Sequence, residues 1–273
     1  MQNMVFITGA TGGLGKAFAV ECASRRWDLF LTDLDADRLE MLAMNLKNTY
    51  GVKVMYQPCD LTAAASREHL FDTLRADGLR FQALINVAGL DYEGLFCERS
   101  RDEIGRIVRL NIEATLGVTH ALMEHMDSSK LFRIIMVSSL AAFFPMPVKA
   151  TYAASKRFLL DFSLALRDEL RSRGATVTVL CPAGLPTTPE CIQAIEAQGL
   201  MGQLTTQNIG SVAARTLDDA LKGRAVYIPG FLNQVLQILS SLVPPVSLAE
   251  LLGRRWRAAH QRRKEMLDAA QVL

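Results

Sequence analysis

Ser139, Tyr152 and Lys156 are the residues whose types and spacing could do chemistry, all within SSLAAFFPMPVKATYAASK at 138–156. Tyr152 and Lys156 stand four apart, so they share one face if the stretch is helical. A free phenol has a pKa of about 10, too high for efficient proton exchange at neutral pH. An ammonium one turn away favours the phenolate and should pull that value down. Tyr152 would then give a proton to a carbonyl or take one from an alcohol, with the Ser139 hydroxyl aiming the substrate oxygen. Taken alone, a Y-x-x-x-K pair is more often a solvated helix face, and Ser138-Ser139 at a strand end is more often a turn. The surrounding elements decide.

Short β-rich runs alternate with helical patterns along the chain. MVFIT (4–8), DLFLTD (28–33), VKVMYQ (52–57), QALINV (82–87), FRIIMVS (132–138), TVTVL (176–180) and AVYI (225–228) read as strands. Between them lie helical stretches: one from about 13 to 25, then DADRLEMLAMNLK and TYAASKRFLLDFSLALRDELRSR. Strands apolar on both faces and separated by helices predict a parallel sheet covered on both sides. Right-handed crossovers make it an α/β, Rossmann-type doubly wound sheet of about seven strands. This catalytic, dinucleotide-binding domain is expected over 1–230, followed by an amphipathic helical extension over 231–273.

The first strand runs directly into TGATGGLG, residues 8–15. Gly9, Gly13 and Gly15 allow a tight turn, a close approach to a pyrophosphate and close packing of helix on strand. The free N–H groups at that helix start suit the negative charge. Thr8, Thr11, Gly12 and Leu14 complete the turn and are candidate cofactor contacts. Asp33, about 20 residues further on, is placed to accept hydrogen bonds from an adenosine ribose. A 2′-phosphate there would meet like charge, and neither Leu34 nor Gly12 offers a cation, so NAD is favoured, with NADP as the alternative. Asp33 or Asp35 could instead simply begin the turn or cap the next helix.

The glycine spacing is T-G-x-x-x-G-x-G, which resembles the classical short-chain dehydrogenase/reductase family. CDLT (59–62), NVAG (86–89), Asn111 in LNIEATLGVT, and the order Ser139, Tyr152, Lys156 add to the likeness, which covers about residues 4–230. The resemblance implies an oxidoreductase using NAD or NADP. It implies Asp60 and Leu61 beside the adenine, and Asn86, Ala88 and Gly89 along the cofactor, with Val87 replacing the family's usual second asparagine. It gives Asn111 a water that connects Lys156 to solvent, and Lys156 a second task on the nicotinamide ribose. Pro182, Gly184 and Thr187 in CPAGLPTT match the nicotinamide-side turn, although Ala183 takes the usual glycine place. It further implies a homodimer or homotetramer built on helices near 100–126 and 150–173.

Residues from about 188 to 208 are expected to form a substrate lid. Phe143, Phe144, Pro145, Met146 and Pro147 form either an apolar pocket wall or core. Cys181 and Cys191 read as apolar fillers. In the extension, Phe231, Val235, Ile238, Leu239 and Leu242 share one side of a first helix. A break at Pro244-Pro245 precedes a second helix opened by a capping box, Ser247 and Glu250. That helix sets Leu248, Leu251, Leu252 and Trp256 beside Arg254, Arg255, Arg257, Arg262, Arg263 and Lys264. The pattern over 231–264 suits peripheral contact with anionic lipid, an oligomer contact, or a cover over the substrate entrance.

Composition narrows the classes. Half of the 273 residues are hydrophobic and the formal net charge is +2, which argues against nucleic acid as a partner. Five scattered cysteines without a C-x-x-C fit reduced thiols in a cytoplasm, and four histidines away from any cysteine predict no structural metal. MQNMVFITGA lacks the pattern of a leader, and no apolar run reaches about 18 residues. The resulting expectation is reversible hydride transfer between a nicotinamide cofactor and a secondary alcohol or ketone, apolar and lipid-, acyl- or steroid-like. The competing expectation is a nucleotide-sensing or scaffold protein that keeps the fold without turnover.

Overall fold

Strand runs with no polar alternation must be covered on both faces, and the computed structural model, which describes residues 4–271, shows that cover. The strands are β1 (Met4–Thr8), β2 (Asp28–Asp33), β3 (Val54–Pro58), β4 (Ala83–Asn86), β5 (Phe132–Val137), β6 (Ala175–Leu180) and β7 (Val226–Tyr227). They form one seven-stranded sheet in the order β3-β2-β1-β4-β5-β6-β7, and every pairing is parallel. Between β1 and β4 the winding direction reverses, and a crevice opens beyond the strands' carboxyl ends. Ligands of doubly wound sheets bind at that point.

The helices are α1 (Gly13–Ser24), α2 (Ala36–Tyr50), α3 (Ala64–Ala76), α4 (Arg101–Val108), α5 (Thr115–Met123), α6 (Ala150–Glu169), α7 (Pro189–Ala197), α8 (Leu200–Thr205), α9 (Ile209–Leu221), α10 (Phe231–Ser241) and α11 (Pro245–Gln271). One core layer sets Ile7, Phe18, Leu31 and Leu217 on one face of the sheet. On the other, Phe6 stacks on Phe30 with ring centroids 5.2 Å apart, and both meet Phe81 edge-on.

Element boundaries depart from the sequence reading in small, explicable ways. β3 begins at Val54 rather than residue 52, because its register is set by Leu29 pairing with Val54. Asp35 caps α2 by accepting from the Arg38 N–H, leaving Asp33 for another task. The chain does break at Pro244-Pro245, but α11 opens at Pro245 and the Leu248 N–H bonds the Pro244 carbonyl. Ser247 therefore lies inside the first turn, and the expected capping box does not start this helix; proline at the first helical position does. The side chains of Arg263 and Lys264 lie outside the described residues. No helix among the described residues is long and apolar enough to cross a membrane.

Candidate active site

The glycine turn is tight because no side chain would fit it. A Cβ on Gly15 would stand 2.0 Å from the Gly9 carbonyl oxygen. A Cβ on Gly12 would meet protein only at 3.5 Å, so that side of the turn is open. No side chain caps the start of α1. An uncapped helix N-terminus behind an open glycine surface fits the pyrophosphate of a dinucleotide.

Around this cradle, Thr8 accepts from the Val87 and Ala88 N–H groups, tying the turn after β4 to β1. Asp33 Oδ2 accepts from the Thr11 N–H at 2.9 Å and hydroxyl at 2.8 Å, so the carboxylate is fixed at the rim of the turn. Arg38 Nη2 donates to the Thr11 carbonyl at 3.3 Å. The local reading at Leu34 and Gly12 omitted this cation, which arrives from the first turn of α2.

Asp60 accepts from the Thr62 N–H and hydroxyl, and the hydroxyl's bond is the main cause holding its carboxyl below the usual range. Leu61 is buried, and its carbonyl accepts from Arg67. Asn86, the last residue of β4, turns its side chain into the core, where Nδ2 donates to Thr119 Oγ1 at 2.9 Å. Leu14 is buried against the sheet.

Ser139, Tyr152 and Lys156 come together where β5 meets α6. Ser139 sits just past β5, where its Oγ accepts from the Ala141 N–H at 3.1 Å and donates to the Pro182 carbonyl at 3.4 Å, and it lines the same cleft as Tyr152. The Ser138 hydroxyl donates to the Lys156 carbonyl at 2.7 Å and so fixes α6 against the strand. Lys156 is buried, and its Nζ donates to the Val137 carbonyl at 3.1 Å, 5.7 Å from the Tyr152 ring centroid. Gly89 lies against this ammonium, since a Cβ there would be 3.2 Å from both Lys156 Nζ and Asn111 Oδ1.

Asn111 is fully buried in a π-helical segment, Arg109–Ala114, between α4 and α5. Its Oδ1 accepts from the Leu90 N–H, and its Nδ2 donates to the Leu90 carbonyl and Ser155 Oγ. Such bulges recur at functional sites, and a single sequence gives no signal of them.

The protonation chemistry corrects the sequence reading. Burial pushes the Tyr152 phenol up, the negative Asp91 adds to the rise, and the Ser139 hydrogen bond opposes it. Burial also pushes Lys156 down to about 8, against the pull of Asp91 and Cys181. In the chain alone, loss of water therefore outweighs the expected help from ammonium to phenol, because Lys156 is directed at the Val137 carbonyl and the ring.

Tyr152 lines a cleft of about 240 Å³ that opens to solvent. Phe144 and Met146 face this cleft, whereas Phe143 packs into the core, so the apolar segment divides between the two expected roles. Gln198, Met201 and Thr205 line it from the expected lid. Gly184 lines it as well, beneath Ile195. Pro182 accepts from the Leu140 N–H at 2.7 Å. Thr187 packs against Gly13, with its hydroxyl toward Cys191 Sγ.

Sequence reasoning missed Asp91, Lys149 and Leu236 as neighbours of the phenol, and left the place of Leu252, Arg255 and Trp256 open. Lys149, three residues before Tyr152, pairs with Asp91 at 2.6 Å and lies 5.6 Å from the Trp256 ring centroid. Leu236, Leu252, Arg255 and Trp256 bring the extension into the cleft wall. Val148, just ahead, has φ 72, a costly conformation for a β-branched residue, held by its carbonyl accepting from the Gly94 N–H.

Among curated proteins, the chain is 35% identical over 175 residues to a very-long-chain 3-oxoacyl-CoA reductase of Phaeosphaeria nodorum, covering 63% of this chain and 51% of that protein. It is 32% identical over 189 residues to human 17-beta-hydroxysteroid dehydrogenase type 3, covering 68% of this chain and 60% of that protein. The chain thus spans about half to three-fifths of these relatives' lengths. Among solved structures, a short-chain dehydrogenase from Sphingobium yanoikuyae in complex with NADPH matches with TM-score 0.74 at 28% identity, covering 88% of this chain and 96% of that one. A short-chain dehydrogenase/reductase from Burkholderia phymatum in complex with NAD shares the fold with TM-score 0.77 at 21% identity, covering 89% and 96%. The family model described as short chain dehydrogenase matches residues 3–194, and by that match the chain belongs to the short-chain dehydrogenase family.

Proposed function

We propose that this protein is an NAD(P)-dependent oxidoreductase that interconverts a secondary alcohol and a ketone on an apolar, lipid-, acyl- or steroid-like substrate. The observation that carries this reading is the convergence of Ser139 and Tyr152 on the wall of one largely apolar cleft, with the buried Lys156 ammonium 5.7 Å from the phenol's ring centroid. A bound nicotinamide supplies or accepts the hydride. Ser139 orients the substrate oxygen, and Tyr152 gives it a proton in reduction or takes one in oxidation. Lys156 balances the charge left on the phenol. Asn111 holds the segment at Leu90 against α6, so the proton-transfer groups keep their spacing. The residues of the glycine turn, with Asp33, Asp60, Leu61, Asn86, Ala88, Gly89, Pro182, Gly184 and Thr187, would hold the cofactor.

Support for apolar substrates comes from Phe144, Met146, Leu236, Leu252 and Trp256 in the cleft wall, and from the named activities of the two curated relatives. NAD is favoured at the Asp33 carboxylate, although Arg38 lies close enough to counter a 2′-phosphate. The unpaired cysteines favour a cytoplasmic setting. Exposed Val108 on α4, and Phe158 and Leu164 on α6, favour a homodimer or homotetramer through those helices.

The test is NAD(P)H absorbance with panels of steroid ketones, 3-oxoacyl thioesters and simple ketones, using the intact chain and Tyr152→Phe. The substitution should abolish turnover and leave cofactor binding within a few-fold. Unchanged biological activity of Tyr152→Phe, with no turnover by either form, would instead favour a sensing or scaffold role.

A further inference from the structure

The first helix of the extension is packed inside out. Its polar Asn233 is fully buried, with Nδ2 donating to the Pro229 carbonyl at 2.7 Å and the Thr205 carbonyl at 3.0 Å. The opposite side carries Phe231, 82% exposed, then Ile238, Leu239, and Leu242, 75% exposed. At 3.6 residues per turn these form one stripe along α10. The following helix continues it with Val246 and Leu251, 73% and 65% exposed. A monomer in water has no reason to present such a stripe, so something covers it.

The charges beside the stripe indicate what that is. Arg254 and Arg255 stand three and four residues beyond Leu251, and all are exposed. Residues 231–262 contain four arginines and a single acid, Glu250. A second copy laid across this surface would bring arginine toward arginine with almost no carboxylate to pair them. An anionic bilayer offers acyl chains to the stripe and lipid phosphates to the arginines. Behind the same two helices, Leu236, Leu252 and Trp256 line the cleft that ends at Tyr152, with the exposed Arg255 at its rim. We infer that the outer face of α10 and α11 seats the protein on an anionic membrane, with the mouth of the cleft at the lipid surface. The inference deepens the proposed oxidoreductase reading by naming lipid-dissolved molecules as its substrates, but the docking itself does not depend on turnover.

The full chain is sedimented with vesicles of phosphatidylcholine alone and of phosphatidylcholine mixed with phosphatidylglycerol. Most of it should pellet with the anionic vesicles, little with the neutral ones, and less as salt rises. Phe231→Ser with Leu242→Ser should return it to the supernatant, with helical content and activity on a water-soluble ketone unchanged. Arg254→Glu should weaken partition about fivefold or more. Tyr152→Phe should pellet like the unaltered chain, so a failed enzymatic reading would not disturb this result. Absence of pelleting with either vesicle, or equal pelleting of the double variant, overturns the inference. So does conversion of a dimer to a monomer by the double variant without any vesicle binding, which makes the face a subunit contact.

Discussion

The chemistry of the site rests on a lysine that gives up water. Lys156 is held at about 8 by burial, below its usual value of 10.5. Between those values the unfolded chain keeps the proton that the folded chain has lost, so this residue makes stability rise with pH across that window. Cys22, Cys181 and Tyr152 have raised values and act in the opposite sense at higher pH. Subtraction isolates the lysine. Urea unfolding of the unaltered chain and of Lys156→Met should show the unaltered chain gaining relative to the variant from about pH 8 to 10.5. A constant difference would mean that the ammonium is hydrated in solution.

The nearness of Tyr152 and Lys156 was legible in the sequence, because they lie one helical turn apart on α6, but the direction of the phenol's shift was not, because burial sets it. Arg38 was not legible, since its contact with Thr11 exists only once α2 folds back over the glycine turn. If Arg38 meets a 2′-phosphate, Arg38→Ala should weaken NADPH binding about tenfold, as expected for a lost charge-assisted hydrogen bond, and leave NADH within twofold. Fluorescence titration with both nucleotides decides it.

At the scale of elements, the glycine turn separates two requirements that its motif merges. Gly15 is needed by the protein itself, because a side chain there would collide with the Gly9 carbonyl. Gly12 has room within the protein, so the surface left open by its missing side chain is free for a ligand. Gly12→Ala should keep the unaltered thermal midpoint and lose cofactor affinity, whereas Gly15→Ala should lose the fold's stability by several kcal/mol through forced displacement of backbone. Equal midpoints for the two variants, by calorimetry, would show that the turn can relax. The motif was visible because glycine has few other reasons to recur there. The orientation of α10 was not: periodicity identifies an apolar stripe but cannot tell which way it faces. Asn233 decides that orientation. Asn233→Ala would take this donor from the buried Pro229 carbonyl and the part-buried Thr205 carbonyl and should cost about 1–3 kcal/mol, read as faster proteolysis near Pro229.

Across the whole molecule, the alternation of runs was enough to give the doubly wound parallel sheet, because each strand is buried on both sides by the helices that connect it; the strand order, and with it the switch point, came from the structure. A cover over the substrate entrance was one of three roles the sequence left open for the extension, and choosing among them needed contacts between segments distant in sequence. His260 of α11 meets Glu93 at 3.2 Å, Arg262 donates to the Ala197 carbonyl of α7, and Trp256 packs with Phe144 and Tyr152. These contacts make the extension a wall of the site. A half-buried tryptophan contributes about half of the roughly 1.5–3 kcal/mol of a fully buried aromatic, so Trp256→Ala should raise KM about tenfold for a bulky apolar ketone. Because Trp256 lies beside the phenol's ring but makes none of its hydrogen bonds, kcat should stay within about twofold, and KM for a ketone too small to reach α11 should not move. Steady-state kinetics on the two ketones separates the outcomes. Equal losses on both would mean that Trp256 acts by holding Tyr152 and Lys149 in place, and that α11 supports the catalytic residues instead of selecting the substrate.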